Sequence, residues 1–462
     1  MQGNFKKWYF IAVIASIPVM PLGASAVTLQ EALILAYQTN PTLEISRASL
    51  RSQDESVVQA GAGTRPSVSL SGVTAYTADI DALGDPSNTL RASLDARLVV
   101  FDGGRTADAV NAAAYMVYAS RENLKASDQS VLLSAATAYL DVRRDQKFFA
   151  LAQNDVAVIE QQVKAMQDRF AVGAVTRTDV AVMQARLAAT KTGLAASSGR
   201  LALSKEIYRA VVGAEPVNLQ PAPALPKLPN SVAEAESIAM REHPSILAAR
   251  FAEKAAEFDV ARARAASLGT VTLGGSVEYL NAPGFLGQTE STQASISLSG
   301  QMPIYNGGVL SSSIRSAAQI LESRKAATQN VMRQIRQATA SSWANIRVGR
   351  ASITAANLQI EASQIAYDAI KEETRLGART TLDLLDAEQD LLSARSSLAS
   401  AQRDEYVAAL NLLSSMGLLT VKNLDLGIPA YDPQVNFDAV TSKASTAFSG
   451  RSILDAIADR WK

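Results

Sequence analysis

The sequence predicts a mainly α-helical chain that also carries a small membrane β-sheet, and it predicts two copies of one structural unit. Three observations predict this fold class. Short strings recur at a constant separation, two pairs of strand-length segments alternate apolar and polar side chains, and the helical segments are too long for a globular domain.

The internal repeat is visible as matching strings. Each pair is 204 residues apart, namely Asp102-Gly103-Gly104 and Asn306-Gly307-Gly308, Val172-Gly173-Ala174 and Leu376-Gly377-Ala378, Asp179 and Asp383, and Val212-Gly213 and Met416-Gly417. This period is too long for a solenoid unit and indicates a duplicated half. We therefore expect a first repeat at 27–214, a Pro-rich connector at 215–230, a second repeat at 231–417 and a C-terminal tail at 418–462.

Residues 1–26 have the parts of a secretory signal peptide. Lys6 and Lys7 precede an apolar run, and Ala24-Ser25-Ala26 is a small-residue cleavage site. The chain has no cysteine, so we expect neither a disulfide nor an N-terminal lipid anchor. The 44 basic and 44 acidic side chains balance, which gives no footprint for nucleic acid. Beyond the signal, no stretch is long enough for a membrane helix, so insertion would have to use strands.

Alternating segments predict one hairpin in each half. In the first half, the apolar positions are Val68, Leu70, Val73 and Ala75, with a change of face at Gly72, and then every second residue from Leu90 to Val100. In the second half, they are Val271, Leu273, Val277 and Tyr279, and then every second residue from Ala294 to Ile304. Hairpin loops are expected at 78–88 and 281–290. Tilted strands of about ten residues cross a bilayer. Four strands cannot close a barrel, and lipid forbids an open edge, so several chains must share one. The same alternation directs Arg91, Asp95, Arg97 and Glu278 to the barrel lumen.

The helical segments begin and end at recognisable signals. Capping boxes at Thr28 and Ser231 open each half, and a proline then allows a kinked continuation to about residues 60 and 265. A helix is predicted over 105–170, which at ~1.5 Å per residue is roughly 100 Å long. Steps of three and four, as in Val156, Ile159, Val163, Met166 and Phe170, predict coiled-coil seams. The tail is expected to be irregular, with an amphipathic piece at Ile453–Trp461.

Each long helix is expected to turn back at a tight tip. Gly173 and Gly377 stand where a left-handed residue would stop the long helices. Thr176 and Thr380 then begin the return helices, with Asp179 and Asp383 three residues further on.

These features together resemble the TolC family of outer-membrane efflux and secretion channels. The resemblance rests on the signal peptide, the duplicated unit, the Gly-Gly pairs between strand and helix, and the tip strings 170–179 and 374–386, and it covers nearly the whole mature chain. It implies a homotrimer in which twelve strands close a barrel and twelve helices continue it as a periplasmic cylinder. Periodicity alone leaves a dimer or a tetramer open.

The resemblance also implies a gate at the tip. Asp383 and Asp386 match the family's paired acidic ring, Arg379 matches the arginine that ties tip helices together, and Thr178 and Asp179 match its partners. Thr374 stands where the best-known member has a tyrosine that helps to lock the gate, and its short side chain cannot span the same gap. Helix capping is an alternative explanation for Asp179 and Asp383, and a solvated helix charge for Asp386 and Arg379.

The predicted function is that of a passive exit duct in a tripartite export system, for type I protein secretion, multidrug efflux or both. A periplasmic adaptor and an inner-membrane ABC, RND or similar transporter would open it. The resemblance implies that the adaptor docks at two tip grooves, formed by Val172, Gly173 and Ala174 and by Leu376, Gly377 and Ala378. A periplasmic coiled-coil adaptor is the alternative function.

Catalytic chemistry is not indicated. We find no phosphate loop, no nucleophile with a base and no catalytic carboxylate pair, so we expect neither an enzyme nor a cofactor. His243 is the only histidine and takes the position of Asn40 in the other half. Since a metal site would need companions, we expect a structural role for His243 at a helix end and no metal.

Overall fold

The computed structural model describes residues 27–77, 87–284 and 287–446. The predicted signal peptide and the piece Ile453–Trp461 lie outside the described residues. The elements are α1 (Leu29–Thr39), α2 (Pro41–Gly61), a 3-10 turn (Ala62–Thr64), β1 (Ser67–Thr77), β2 (Ser87–Phe101), α3 (Arg105–Ala171), α4 (Arg177–Val212), α5 (Val232–Glu242), α6 (Pro244–Ala265), β3 (Thr270–Gly284), β4 (Gly287–Gln301), α7 (Val309–Arg375), α8 (Thr381–Ser415) and α9 (Gln434–Thr446).

A one-residue break replaces the predicted kink in the first helix of each half. Asn40 adopts an extended conformation (φ −70°, ψ 121°), and its side-chain oxygen accepts the Thr42 amide at 2.9 Å. Pro41 is the first residue of α2, where its missing N–H costs nothing. His243 repeats this cap in the second half, because its Nδ1 accepts the Ser245 amide at 3.1 Å. The expected helix-end position of the histidine is therefore correct.

The cap at His243 makes a pH dependence predictable. Nδ1 can accept a hydrogen bond only in the neutral ring, and burial lowers the pKa of His243 to about 4. Its usual pKa is about 6.5, so this stabilisation is complete above pH 6.5 and is lost as the pH falls towards 4. We expect His243→Asn, which copies the Asn40 cap, to remove about 1–2 kcal/mol of the destabilisation between pH 7 and pH 5. Thermal unfolding at both pH values measures it, and an identical pH dependence in the two proteins would contradict it.

The two hairpins form one antiparallel sheet with the strand order β1-β2-β3-β4. The central pair, β2 and β3, joins the two halves of the chain. Apolar side chains share one face, since Leu94 is opposite both Leu70 and Val277 in register. On the other face, Arg91 Nε lies 3.4 Å from Glu278 Oε1. The predicted division of the strands into an apolar and a polar face is present.

Two details of the strand prediction are wrong. The β1–β2 register continues through Gly72 without a shift, so Val73 lies opposite Arg91 on the polar face. A glycine changes the face only when one strand carries an extra residue, and here none is present. The second predicted loop is largely strand, because β3 and β4 still pair at Asn281 and Glu290 and extend to Gly284 and Gly287. The polar and glycine-rich composition of 281–290 is typical of a loop. The segment can still form a strand, because the hydrogen bonds of a sheet join backbone atoms and need no particular side chain.

The long helices confirm the predicted length. α3 and α7 have 67 residues each, or roughly 100 Å at ~1.5 Å per residue. α3 starts on a carboxylate cap, since Asp102 accepts the amides of Gly104 at 3.0 Å and Thr106 at 2.7 Å. Val156, Ile159, Val163 and Met166 are buried as the seam predicts. Phe170 is 46% exposed, because it lies in the last turn of α3, which ends at Ala171. Among the described residues, none of the helices combines the length and apolar character needed to cross a membrane.

The main apolar core lies at mid-height of the long helices. It joins α1, the middle of α3 and the last turns of α4 and α8. Tyr139 is fully buried there, and its hydroxyl lies 2.7 Å from the Gln220 carbonyl and 3.0 Å from that of Val27. These contacts fix the Pro-rich connector against α3.

The tail contains a helix that the sequence did not predict. α9 packs on α2 and α3, with the Arg121 guanidinium 5.0 Å from the Phe437 ring centroid and Asn436 Nδ2 donating to Asp54 Oδ2 at 2.7 Å. The expectation of an irregular tail is wrong over 434–446. Only a few tertiary contacts define this short helix, and its sequence has no strong apolar periodicity.

Candidate gate and docking site at the helical tip

Two equivalent turns close the helical tip. After α3, the Gly173 amide donates to the Phe170 carbonyl and the Ala174 amide to the Arg169 carbonyl, both at 2.9 Å. Gly377 and Ala378 repeat this Schellman pattern after α7. The glycines have φ of +74° and +80°, which a side chain would strain. The predicted left-handed helix ends are therefore present.

Both return helices begin with a complete capping box. Asp179 Oδ2 accepts the Thr176 amide at 2.9 Å, and the Asp179 amide donates to Thr176 Oγ1 at 3.2 Å. Asp383 and Thr380 make the same pair at 3.0 and 3.2 Å. The bonds from the threonine amide and hydroxyl lower the pKa of each aspartate. Capping is thus a real role of both acids, and it keeps Asp383 ionised.

Asp386 has no such structural explanation. It lies one turn beyond Asp383 on α8, is exposed, and forms no ion pair with any residue that the structure describes. Among the described residues, its charge therefore has no ion-pair partner. Asp383 and Asp386 share one helix face at i, i+3, which is the arrangement that a ring of carboxylates would need.

Arg379 and Thr374 both contact their own tip. Arg379 Nε lies 3.0 Å from Glu373 Oε2, and within the chain it bonds neither of its expected partners, Thr178 and Asp179. In the described part of the chain, Thr374 Oγ1 donates to the Thr380 carbonyl, at 3.5 Å. The sequence analysis missed Glu373 because it assigned Arg379 a partner on another helix.

The two grooves predicted to dock the adaptor are open to solvent. Val172 is 80% exposed and Leu376 is 73% exposed, although both are apolar. A Cβ atom on Gly173 or Gly377 would meet no atom of the described residues within 4 Å, apart from the neighbours of each glycine in the chain. An approaching backbone would find free space at both grooves.

A buried apolar contact, which the sequence analysis missed, joins the two helical hairpins near the tip. Leu385 of α8 is 3% exposed and lies in a cluster formed with residues of α3 and α4. The other buried members are Ile159, Val163, Met166 and Met183. We name these five residues the latch. The apolar pair Leu384-Leu385 is the sequence feature that indicates a buried contact here. It lies between Asp383 and Asp386, a context that also fits an exposed acidic helix face.

Polar contacts extend the latch. Gln162 Nε2 donates to Glu388 Oε2 at 3.1 Å, and Arg186 Nη2 to Gln389 Oε1 at 2.6 Å. Burial raises the pKa of Glu388, and the nearby Asp155 carboxylate raises it further. Each contact joins α8 to the α3–α4 hairpin, so separating the hairpins would break all of them.

The comparisons with known proteins agree with this architecture. The sequence profile of the outer membrane efflux protein family matches residues 32–213 and 237–418. The outer membrane efflux protein BepC of Brucella suis is 35% identical over 421 residues, which cover 90% of this chain and 91% of BepC. The outer membrane protein TolC of Escherichia coli is 25% identical over 87% of this chain and 85% of its own.

Solved structures share the fold. The outer membrane protein VceC of Vibrio cholerae superposes with a TM-score of 0.71 and 22% identity, over 84% of this chain and 96% of VceC. The CmeC outer membrane channel of Campylobacter jejuni gives 0.72 and 15% identity, over 89% of both chains. The predicted fold class, channel function and outer-membrane location are confirmed. The chain belongs to the outer membrane efflux protein family, as do BepC and TolC, and it is a TolC-like channel of the Gram-negative outer membrane.

Proposed function

We propose that three copies of this chain form the passive exit duct of a tripartite export system. The observation that carries the proposal is the four-stranded sheet, whose outer strands β1 and β4 each have one edge that pairs with no other described strand. β1 is exposed along its whole length. Unpaired backbone groups are too costly in lipid, so copies of the sheet must pair edge to edge until they close. Three copies give the twelve strands that the family resemblance implies.

The remaining partners follow from the same proposal. The duct carries no energy source, so an inner-membrane ABC, RND or similar transporter drives export. A periplasmic adaptor connects the two at the tip grooves. The chain divides into the repeats 27–214 and 231–417, the connector 215–230, which packs on α3 at mid-height, and the tail 418–462. In the described part of the tail, Leu419, Val421 and Leu426 enter the main core and α9 packs on α2. The channel relatives favour this function over that of an adaptor.

The closed state of the duct rests on the tip. The latch holds α8 against the α3–α4 hairpin, and three copies of Asp383 and Asp386 form an acidic constriction below it. Arg379 offsets part of that charge because its guanidinium lies near Asp383, although its direct ion pair is with Glu373. Opening moves the α7–α8 hairpin outward, and the adaptor supplies the free energy.

The cargo is tested in a deletion strain. The relatives include the alkaline protease secretion protein AprF of Pseudomonas aeruginosa and the probable efflux pump protein TtgC of Pseudomonas putida, so both cargo classes are represented. Loss of exported proteins from the medium would indicate secretion, and increased drug sensitivity would indicate efflux. A strain with neither defect would contradict the export function. A soluble, monomeric periplasmic product on fractionation and heat-dependent gel mobility would contradict the duct.

The acidic constriction should make the duct cation-selective. We expect Asp383→Asn with Asp386→Asn to reduce cation preference and block by multivalent cations severalfold, because fixed carboxylates at a narrow point attract cations. Asparagine keeps a capping oxygen at 383, so the tip should stay folded. Reversal potentials in planar bilayers measure the change. Asp179→Asn is the matched control, since it alters the equivalent capping box of the first repeat and leaves the Asp383–Asp386 pair intact. Unchanged selectivity in the double variant would assign these charges to solvation alone.

A further inference from the structure

A second site lies far from the tip, at mid-height of the long helices. There the Pro-rich connector crosses α3 and α8 and leaves a cavity of about 250 Å³. We name it the Lys147 pocket. Its lining residues are Leu140, Arg143, Arg144, Lys147, Pro221, Ala222, Ala399, Gln402, Arg403 and Tyr406. Four of them are cations and none is a carboxylate, although the whole chain has no net charge.

Two of the four cations, Arg144 and Arg403, form ion pairs with carboxylates that do not line the pocket. Arg144 contacts Asp141 at 3.1 Å and Asp145 at 2.9 Å, and Arg403 contacts the same Asp141 oxygen at 2.8 Å. These carboxylates fix both guanidinium groups in place. They do not line the cavity, so the charge that faces it stays positive.

The other two cations have no carboxylate. Within the described part of the chain, Arg143 forms no ion pair, and Lys147 Nζ has only the neutral Gln402 Oε1 at 3.0 Å. Partial burial lowers the pKa of Lys147, and the Arg143 guanidinium lowers it further. Two like charges that are held together in this way cost free energy unless an anion joins them.

The remaining wall supplies a polar donor and apolar surface. The Tyr406 side chain is half-buried and lines the cavity, and its hydroxyl has no hydrogen-bond partner among the residues that the structure describes. Leu140, Pro221 and Ala222 form the apolar side of the cavity. A hydrogen bond to a charged group is shorter and stronger than one between two neutral groups.

We propose that the Lys147 pocket binds an oxyanion, a phosphate or carboxylate group, between Arg143 and Lys147, with the Tyr406 hydroxyl as a third donor. The guanidinium plane matches two oxygens of such a group, and the ammonium adds a point charge. The cavity volume suits a small ion or the anionic end of a larger molecule. The site is distinct from the tip and needs no step of the export function.

The second repeat provides an internal comparison. Arg347 stands 204 residues after Arg143 and lines the corresponding pocket beside the connector, but the position of Lys147 is taken by Ala351. The other cation of that pocket, Arg350, is paired with Glu405 at 3.2 Å. The pair of free cations is therefore a feature of the first repeat and not a consequence of the fold.

The test uses the purified full-length protein in detergent. Inorganic phosphate and acetate are titrated separately by calorimetry at constant ionic strength, with chloride as the reference anion. The variants are Arg143→Gln, Lys147→Gln and Tyr406→Phe, and Arg347→Gln is the matched control. Phosphorus NMR line broadening gives a second measurement for phosphate. Heat-dependent gel mobility shows whether each variant still assembles, and Tyr406→Phe keeps the test valid if an arginine variant fails to assemble.

We expect saturable binding of at least one of the two anions. Each loss of a charged hydrogen bond should weaken it about tenfold or more, while Arg347→Gln should leave it unchanged. Preference for phosphate or for acetate identifies the oxyanion class. Binding of neither anion, or equal binding by all variants, would overturn the proposal.

Discussion

Leu385→Asp is expected to hold the channel open and to raise its single-channel conductance severalfold in planar bilayers. Leu385 is 3% exposed in the latch, and its neighbours there are apolar. Losing the leucine side chain alone costs about 2–5 kcal/mol in a packed site, and a buried carboxylate adds a desolvation cost. The α7–α8 hairpin can avoid both costs by swinging away from α3 and α4. Since ~1.4 kcal/mol changes an equilibrium tenfold, the open state should dominate.

A matched control lies three residues earlier on the same helix. Leu382 is 58% exposed, so Leu382→Asp introduces the same charge near the tip without entering the latch. It should leave conductance near that of the parent protein. Heat-resistant trimers on gels would show that both variants assemble. Wild-type conductance in Leu385→Asp, or equal opening by Leu382→Asp, would remove the latch from the gate.

The contact of Arg379 sets a smaller expectation for that residue. Its guanidinium is exposed and pairs with Glu373 of its own tip, and exposed ion pairs contribute about 0–1 kcal/mol. Arg379→Ser should therefore raise conductance less than Leu385→Asp does. A larger effect from Arg379→Ser would indicate a partner on a neighbouring chain.

The tip turns and capping boxes could be predicted from the sequence because they are local. Gly173 and Thr176 act through atoms within six residues, and each appears again 204 residues later. The latch could not be predicted in this way, since Leu385 meets Ile159 across more than two hundred residues of chain. Nothing in the periodicity of α8 indicates which of its leucines faces another hairpin.

The sheet shows the same boundary between local and tertiary information. The alternation at 90–100 fixed the two faces of β2, because a strand's side chains alternate by geometry. The continuation of β3 to Gly284 depends on its pairing with β4, and no alternation of side chains in this segment predicts it. The α9 helix likewise depends on contacts with Asp54 and Arg121, which are distant in sequence. The sequence of 434–446 alone therefore does not predict it.

Gly173→Leu combined with Gly377→Leu is expected to abolish export while leaving trimers intact. Both glycines end long helices with positive φ, and the space above them is free for another backbone. A leucine at each position would fill that space and keep the adaptor out. It also strains the turn by about 1–2 kcal/mol per residue.

Alanine carries the same strain with little bulk, so Gly173→Ala with Gly377→Ala separates the effect of strain from the effect of a filled groove. Export in a complemented deletion strain is the measurement. Loss with leucine and retention with alanine would place the adaptor at these grooves, whereas export by the leucine variant would place it elsewhere on the tip.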